Sequence, residues 1–229
     1  MNTQTHLLIA CALLARPTDG GGARTRNAAV VAGALAPDAG VYGLYAWSKL
    51  AGVPERDVWR SIYFAEPMQT IQAVLNSVPL YALVLIAAAV LLAPGRAAAA
   101  GATGAVPGGA EPAGGVTTGW RRFVAGRSAL GLFALAALLH LAGDVPVHAD
   151  DAHRHFWPLT DWRFHSPVSY WNPSQGGDWF AFVEAALGVA CAIVLWRRFR
   201  VVWVRALLGL AIAAYIAVPL YFTLVLGGG

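Results

Sequence analysis

The sequence predicts an all-α fold, a polytopic membrane helix bundle with four long transmembrane helices and two short N-terminal membrane-embedded helices. Three observations carry this. Of the 229 residues, 58% are hydrophobic and 12% charged, against roughly 25% charged in an average soluble domain. The apolar residues gather in runs that approach the roughly 20 residues needed to cross a hydrocarbon core of about 30 Å. No stretch alternates with a period of two for long enough to close a barrel. Disorder of the whole chain is excluded by its 9 Trp, 7 Tyr and 9 Phe together with long Leu, Val and Ala runs.

Two apolar pieces of about ten residues open the chain, 6–15 and 28–36, each too short to cross alone and fit to pair as a hairpin. The first lacks the basic n-region of a secretory signal, since residues 1–6 contain no Lys or Arg. The first long segment, 78–93, reaches spanning length once the turn at 71–77 is added, and Pro79 is tolerated in a first helical turn. Residues 94–119 are almost entirely Ala, Gly, Pro and Thr, a composition that buries no core and reads as a flexible loop. The other long segments are 128–148, 179–196 and 201–226. Trp179, Trp196, Trp203, Tyr221 and Phe222 fall near their ends, at the headgroup level that amphipathic rings prefer. No repeat of 20 to 50 residues is visible, which disfavours an inverted-repeat transporter.

The net charge of +4 and pI near 9.4 do not point to nucleic acid, because the basic residues are scattered between apolar runs and form no continuous face. They report topology instead. With Met1 outside and the segments alternating, eleven of the 16 Lys and Arg fall on the inside, including Arg16, Arg24, Arg26, Arg121, Arg122, Arg197 and Arg198. The positive-inside rule then places the protein in a bacterial inner membrane with both termini periplasmic. Cys11 and Cys191 lie in separate apolar runs with no C-x-x-C spacing, so neither a thiolate metal site nor a redox pair is expected.

Five of the six histidines fall between residues 140 and 165. His140, Asp144 and His148 are spaced i, i+4, i+8, which at 3.6 residues per turn lines them along one helical stripe. An ionisable side chain as deep in an apolar run as His140 faces the bundle interior with a partner. The loop at 149–178 continues with Asp150, Asp151, His153 and His155, then Trp157, Trp162, Phe164, Tyr170 and Trp171, rings that lay it on the membrane surface. His6 opens the first short helix and Asp38 closes the second. A hairpin with its Arg-rich turn inside brings both out on the side of His148. His6, Asp38, His140 and Asp144 are thus the candidate ligands, with His148 and His153 as alternates. A mix of imidazole and carboxylate suits a divalent metal, zinc first, with manganese or iron as alternatives.

The Thr5-His6-Leu7-Leu8 opening, the corner Gly33-Ala34-Leu35-Ala36-Pro37-Asp38 and the His140-x-x-x-Asp144 helix resemble the YdjM-type membrane-bound metal-dependent hydrolases. The run from His148 to Phe164, continuing through Ser166-Pro-Val-Ser-Tyr-Trp171, is similar to a small group of proteobacterial membrane proteins labelled cobalamin biosynthesis protein CobQ. That label describes a soluble amidotransferase with an ATP-binding fold and a glutaminase Cys, whereas this chain has no P-loop and Cys11 sits in an apolar helix. Members of the group read Asp-Pro-x-His where this chain has Asn172-Pro173-Ser174-Gln175, so no ligand role is carried over there.

The resemblance implies a metal-dependent hydrolase of an ester or phosphoester, acting on an amphipathic or lipid substrate at the bilayer. Zinc with three or four N/O ligands lowers the pKa of water to roughly 7, and Asp150, Asp151 or Glu184 would accept the proton. The alternative is a non-enzymatic carrier or assembly factor in which the same residues are buried polar contacts.

Overall fold

The computed structural model describes residues 1–17, 21–92 and 129–221. The regular structure among them is helical: α1 (Thr3–Leu14), α2 (Gly21–Leu35), α3 (Ala39–Ala51), α4 (Glu55–Asp57), a π-helical turn (Val58–Ile62), α5 (Glu66–Leu75), α6 (Val78–Leu92), α7 (Ala129–Asp144), α8 (Gly177–Arg198) and α9 (Val202–Tyr221). The expected Ala/Gly loop at 94–119 and the end of the 201–226 segment lie outside the described residues.

Among the described residues three helical stretches are long and apolar enough to cross a membrane: Glu66–Val90, Ala129–Val147 and Gly177–Arg198. A fourth arises if α2 and α3, bent by 72° at the Ala36–Asp38 corner, count as one broken span. Pro37 explains the bend, because its ring removes a backbone donor and steers the preceding residue out of the helical region. A milder break separates α5 from α6, where the Ser77 hydroxyl accepts from Leu80 N at 3.2 Å and Pro79 sits in the first turn, two N-terminal helix signals.

Helix α7 is the hub, packing against α1, α2 and α6, while α8 packs against α1 and α9. The α2–α7 contact is close because its residues are small. Ala34 and Ala136 are fully buried together there, and a Cβ placed on Gly33 would stand 2.1 Å from the Phe133 carbonyl oxygen. Small residues let two backbones touch, the usual basis of helix association in lipid. Gly33→Ala is therefore expected to force the helices apart and lower stability by about 1–3 kcal/mol. Gly43→Ala, with nothing within 4 Å of the added carbon, is expected to be neutral or stabilising. Thermal unfolding of both variants in detergent checks this.

The two ends of the bundle differ chemically. At one end the Arg198 guanidinium donates to the Ala12 carbonyl at 2.7 Å and the Ala15 carbonyl at 2.9 Å, a cation satisfying the open carbonyls of a helix C-terminus. At the other end lie the start of α1, the Ala36–Asp38 corner, the end of α7 and the aromatic loop. That loop is pinned from within: Arg154 pairs with Glu66 at 3.1 Å and Asp161 at 3.0 Å, and the Val78 amide donates to the His155 carbonyl at 2.8 Å. Its Phe156, Leu159, Trp162 and Trp171 side chains remain exposed.

Candidate metal centre

His140 and Asp144 occupy successive turns of α7 and face the same way because they are four residues apart. His140 Nε2 lies 3.0 Å from Asp144 Oδ2. From α1, His6 Nε2 approaches the other oxygen, Asp144 Oδ1, at 2.7 Å, and the two imidazoles stack with centroids 3.6 Å apart and planes within 10°. One ligand atom from each of His6, His140 and Asp144 lies within 4.8 Å of the others, and all three side chains are buried. Asp38 stands at the edge of this group. Its Oδ1 is 3.6 Å from His140 Nε2, and its Oδ2 accepts from the Thr3 hydroxyl.

The tautomer of His140 follows from its other nitrogen. Nδ1 is 2.7 Å from the Ala34 carbonyl oxygen, which can only accept, so Nδ1 carries a proton and donates it. Nε2 is set opposite a carboxylate oxygen, Asp144 Oδ2. Two acceptors at 3.0 Å repel unless a proton or a cation lies between them. A backbone carbonyl that fixes the ring in this way is the usual support behind a metal-ligating histidine. His6 Nδ1 and His140 Nε2 are both buried without a hydrogen bond, and two imidazoles with a carboxylate form a donor set suited to zinc, manganese or iron.

Beyond the end of α7, His148 bridges two acids, with Nε2 3.2 Å from Asp144 Oδ1 and Nδ1 3.1 Å from Asp151 Oδ2. Burial opposes its charge, yet the two carboxylates lift its pKa to about 9. His153, 5.0 Å away between ring centroids, goes the other way: burial and repulsion from His148 push its pKa down. The pair therefore divides into one cation and one neutral imidazole. Burial raises the Asp151 carboxyl, but its hydrogen bond to His148 prevails and holds it below the ordinary carboxylate range.

These groups open onto a cleft of about 670 Å³. Asp38, His148, Asp150, Asp151 and His153 line it, together with residues 1–4 at the start of α1 and aromatic side chains from α3, the π-turn and the loop. His6, His140 and Asp144 lie behind this surface, reached through Asp38 and His148.

The expected site residues thus fall into three places. His6, His140 and Asp144 come together. Asp38 and His148 touch that group from the cleft side, with Asp150, Asp151 and His153 further out. Glu184 is buried on α8, where both oxygens are taken by Asn2, one by its amide nitrogen at 2.6 Å and the other by its side chain at 2.7 Å. Sequence reasoning does not find the Ala34 carbonyl, Thr3 or the Met1 ammonium, which lies 2.9 Å from Asp144 Oδ1. A backbone oxygen leaves no residue-type signal, and Thr3 is a common helix-start residue.

A glycine makes room for His6: a Cβ on Gly143 would lie 3.0 Å from His6 Cε1. Gly143→Ala is expected to displace that ring and weaken metal binding by about tenfold, the lower end of the cost of disturbing a ligand's support. Competition with a metallochromic chelator measures it. Comparisons with protein-family models, with curated proteins and with solved structures find no match for this chain.

Proposed function

We propose that this chain is a membrane-embedded metal-dependent hydrolase acting on an ester or phosphoester. One divalent cation, zinc by preference, is held by His6, His140 and Asp144 with Asp38 beside them. The observation that carries this reading is the buried His140 Nε2, turned toward two carboxylates by the proton that its Nδ1 gives to Ala34. A cation bound there supplies Lewis acidity and makes a nearby water more acidic. The resemblance of the HxxxD helix and the Pro37-Asp38 corner to membrane-bound hydrolases supports the same reading.

The chain's own groups divide the remaining work. Asp151 lines the cleft, with one oxygen on His148 and the other, Oδ1, buried without a partner; it is the carboxylate best placed to take a proton from water. His148 holds positive charge between Asp144 and Asp151, and His153 stays neutral. Glu184, occupied by Asn2, anchors the start of α1 instead. Turnover by metal-loaded protein in mixed micelles of phospholipid, lysolipid or a generic phosphodiester tests the proposal. No turnover with any metal would leave the non-enzymatic reading, in which the cluster forms buried polar contacts.

In this reading α9 belongs to the fourth long segment expected from the sequence, and the site faces the periplasm of a bacterial inner membrane. A membrane-impermeant thiol reagent is expected to label Ser174→Cys from the periplasmic side and Gly108→Cys only after the membrane is opened. Periplasmic labelling of position 108 would reverse the orientation.

A further inference from the structure

The π-helical turn Val58–Ile62 lines the same cleft as the acids through Trp59 and Arg60. Its defining bond, from the Tyr63 amide to the Val58 carbonyl, measures 2.8 Å, and the wide turn sets Trp59, Arg60, Tyr63 and Phe64 all along the cleft. Single π-turns inserted into helical segments occur frequently at functional sites. Arg60 is the one Lys or Arg among the residues that line this cleft. Arg154 pairs with Glu66 and Asp161, Arg163 with Gln69 and the Ala152 carbonyl, and Lys49 with Glu55, while Arg56 does not line the cleft. Among the described residues the Arg60 guanidinium has neither an ion pair nor a hydrogen bond, although Asp38, Asp150 and Asp151 line the same cleft.

A neutral ester would need no cation on this wall. An anionic substrate would, because three carboxylates lining the same cleft repel it. A guanidinium presents a planar fork that matches two phosphoryl oxygens, and the neighbouring Trp59, Tyr63 and Phe64 rings offer apolar surface to whatever the phosphoryl group carries. We propose that Arg60 is an anion anchor, and that the cleft takes a phosphoester bearing an apolar group in preference to a neutral ester. This rests on the hydrolase reading of the metal centre, and the experiment keeps the two separable.

The probes are bis(4-nitrophenyl) phosphate, an anionic diester, and 4-nitrophenyl butyrate, a neutral ester, with wild type, R60Q, R60K and the off-cleft control R56Q, all metal-loaded in detergent. Losing the charged contact in R60Q is expected to raise KM for the diester by roughly 10- to 100-fold, with metal content and butyrate hydrolysis unchanged. R60K should fall between, since a point charge replaces the fork, and R56Q should match wild type. Equal effects on both esters, or no effect, would overturn the proposal. Phosphatidylglycerol in the micelles competing with the diester identifies a lipid source for the phosphoryl group; competition by hexyl phosphate alone identifies a soluble one; competition by neither overturns the proposal. Should wild type load metal yet hydrolyse neither probe, the hydrolase reading fails by itself. The anion site is then decided by equilibrium dialysis with radiolabelled inorganic phosphate: retention by wild type and loss in R60Q upholds it, and no retention by wild type overturns it.

Discussion

Asp144→Asn is expected to strip the protein of metal and to be the most damaging single substitution at the site. Four groups converge on this carboxylate: His6 at 2.7 Å, the Met1 ammonium at 2.9 Å, His140 at 3.0 Å and His148 at 3.2 Å. Its side chain is 3% exposed, so bulk water does not replace what it provides. An amide of the same shape carries no charge and replaces one carboxylate oxygen by an NH2 that neither accepts a hydrogen bond nor ligates a cation. Removing one partner from a buried charged cluster costs about 3–5 kcal/mol. Metal affinity should fall by more than the roughly 10- to 100-fold that follows loss of an outer-shell partner. Asp57→Asn, an exposed carboxylate on α4, is expected to change neither property. Elemental analysis and thermal unfolding in detergent read both effects; metal content and midpoint unchanged in Asp144→Asn would remove Asp144 from the site.

The second large effect is expected from Asp151→Asn, and it should fall on turnover with metal content intact. The carboxylate lines the cleft, has one unpartnered oxygen and lies one residue beyond the metal group through His148. A positioned general base is worth typically 10²–10⁴ in rate, so kcat should drop by about that factor. Glu184→Gln is the informative contrast. Its amide still accepts one bond from Asn2 but opposes the other with a second donor, so the start of α1 should loosen by about 1–3 kcal/mol while kcat holds. If Glu184→Gln abolishes turnover with an unchanged unfolding midpoint and Asp151→Asn does not, the two assignments are exchanged.

How much of this was legible before the structure varies with the signal. His140 and Asp144 announce themselves, because two ionisable groups four residues apart in an apolar run have one face to share and nowhere else to go. His6 and Asp38 follow from topology: a hairpin with its Arg-rich turn on one side must deliver its two ends to the other. The helices between residues 39 and 75 were not legible. Segment α3 mixes Tyr42, Tyr45, Trp47 and Lys49 with its apolar residues and stops at Gly52, whose φ of 67° suits glycine, with Pro54 soon after. No run there reaches spanning length. Packing of Leu44 against Val58 and Met68, and the tie from the Asn76 side chain to the Pro37 carbonyl at 3.3 Å, make it part of the bundle. The role of Glu184 was equally hidden: a lone acid in an apolar helix looks catalytic until its partner is seen, and Asn2 is 182 positions away.

The claim on which the rest depends is that His6, His140 and Asp144 bind a divalent metal. Elemental analysis of the protein purified in detergent and dialysed against metal-free buffer tests it most directly. About one equivalent of zinc, manganese or iron per chain in wild type, absent from the His140→Ala, Asp144→Ala double variant, is the expected result. A wild type that holds no metal after incubation with each of these ions would contradict the account.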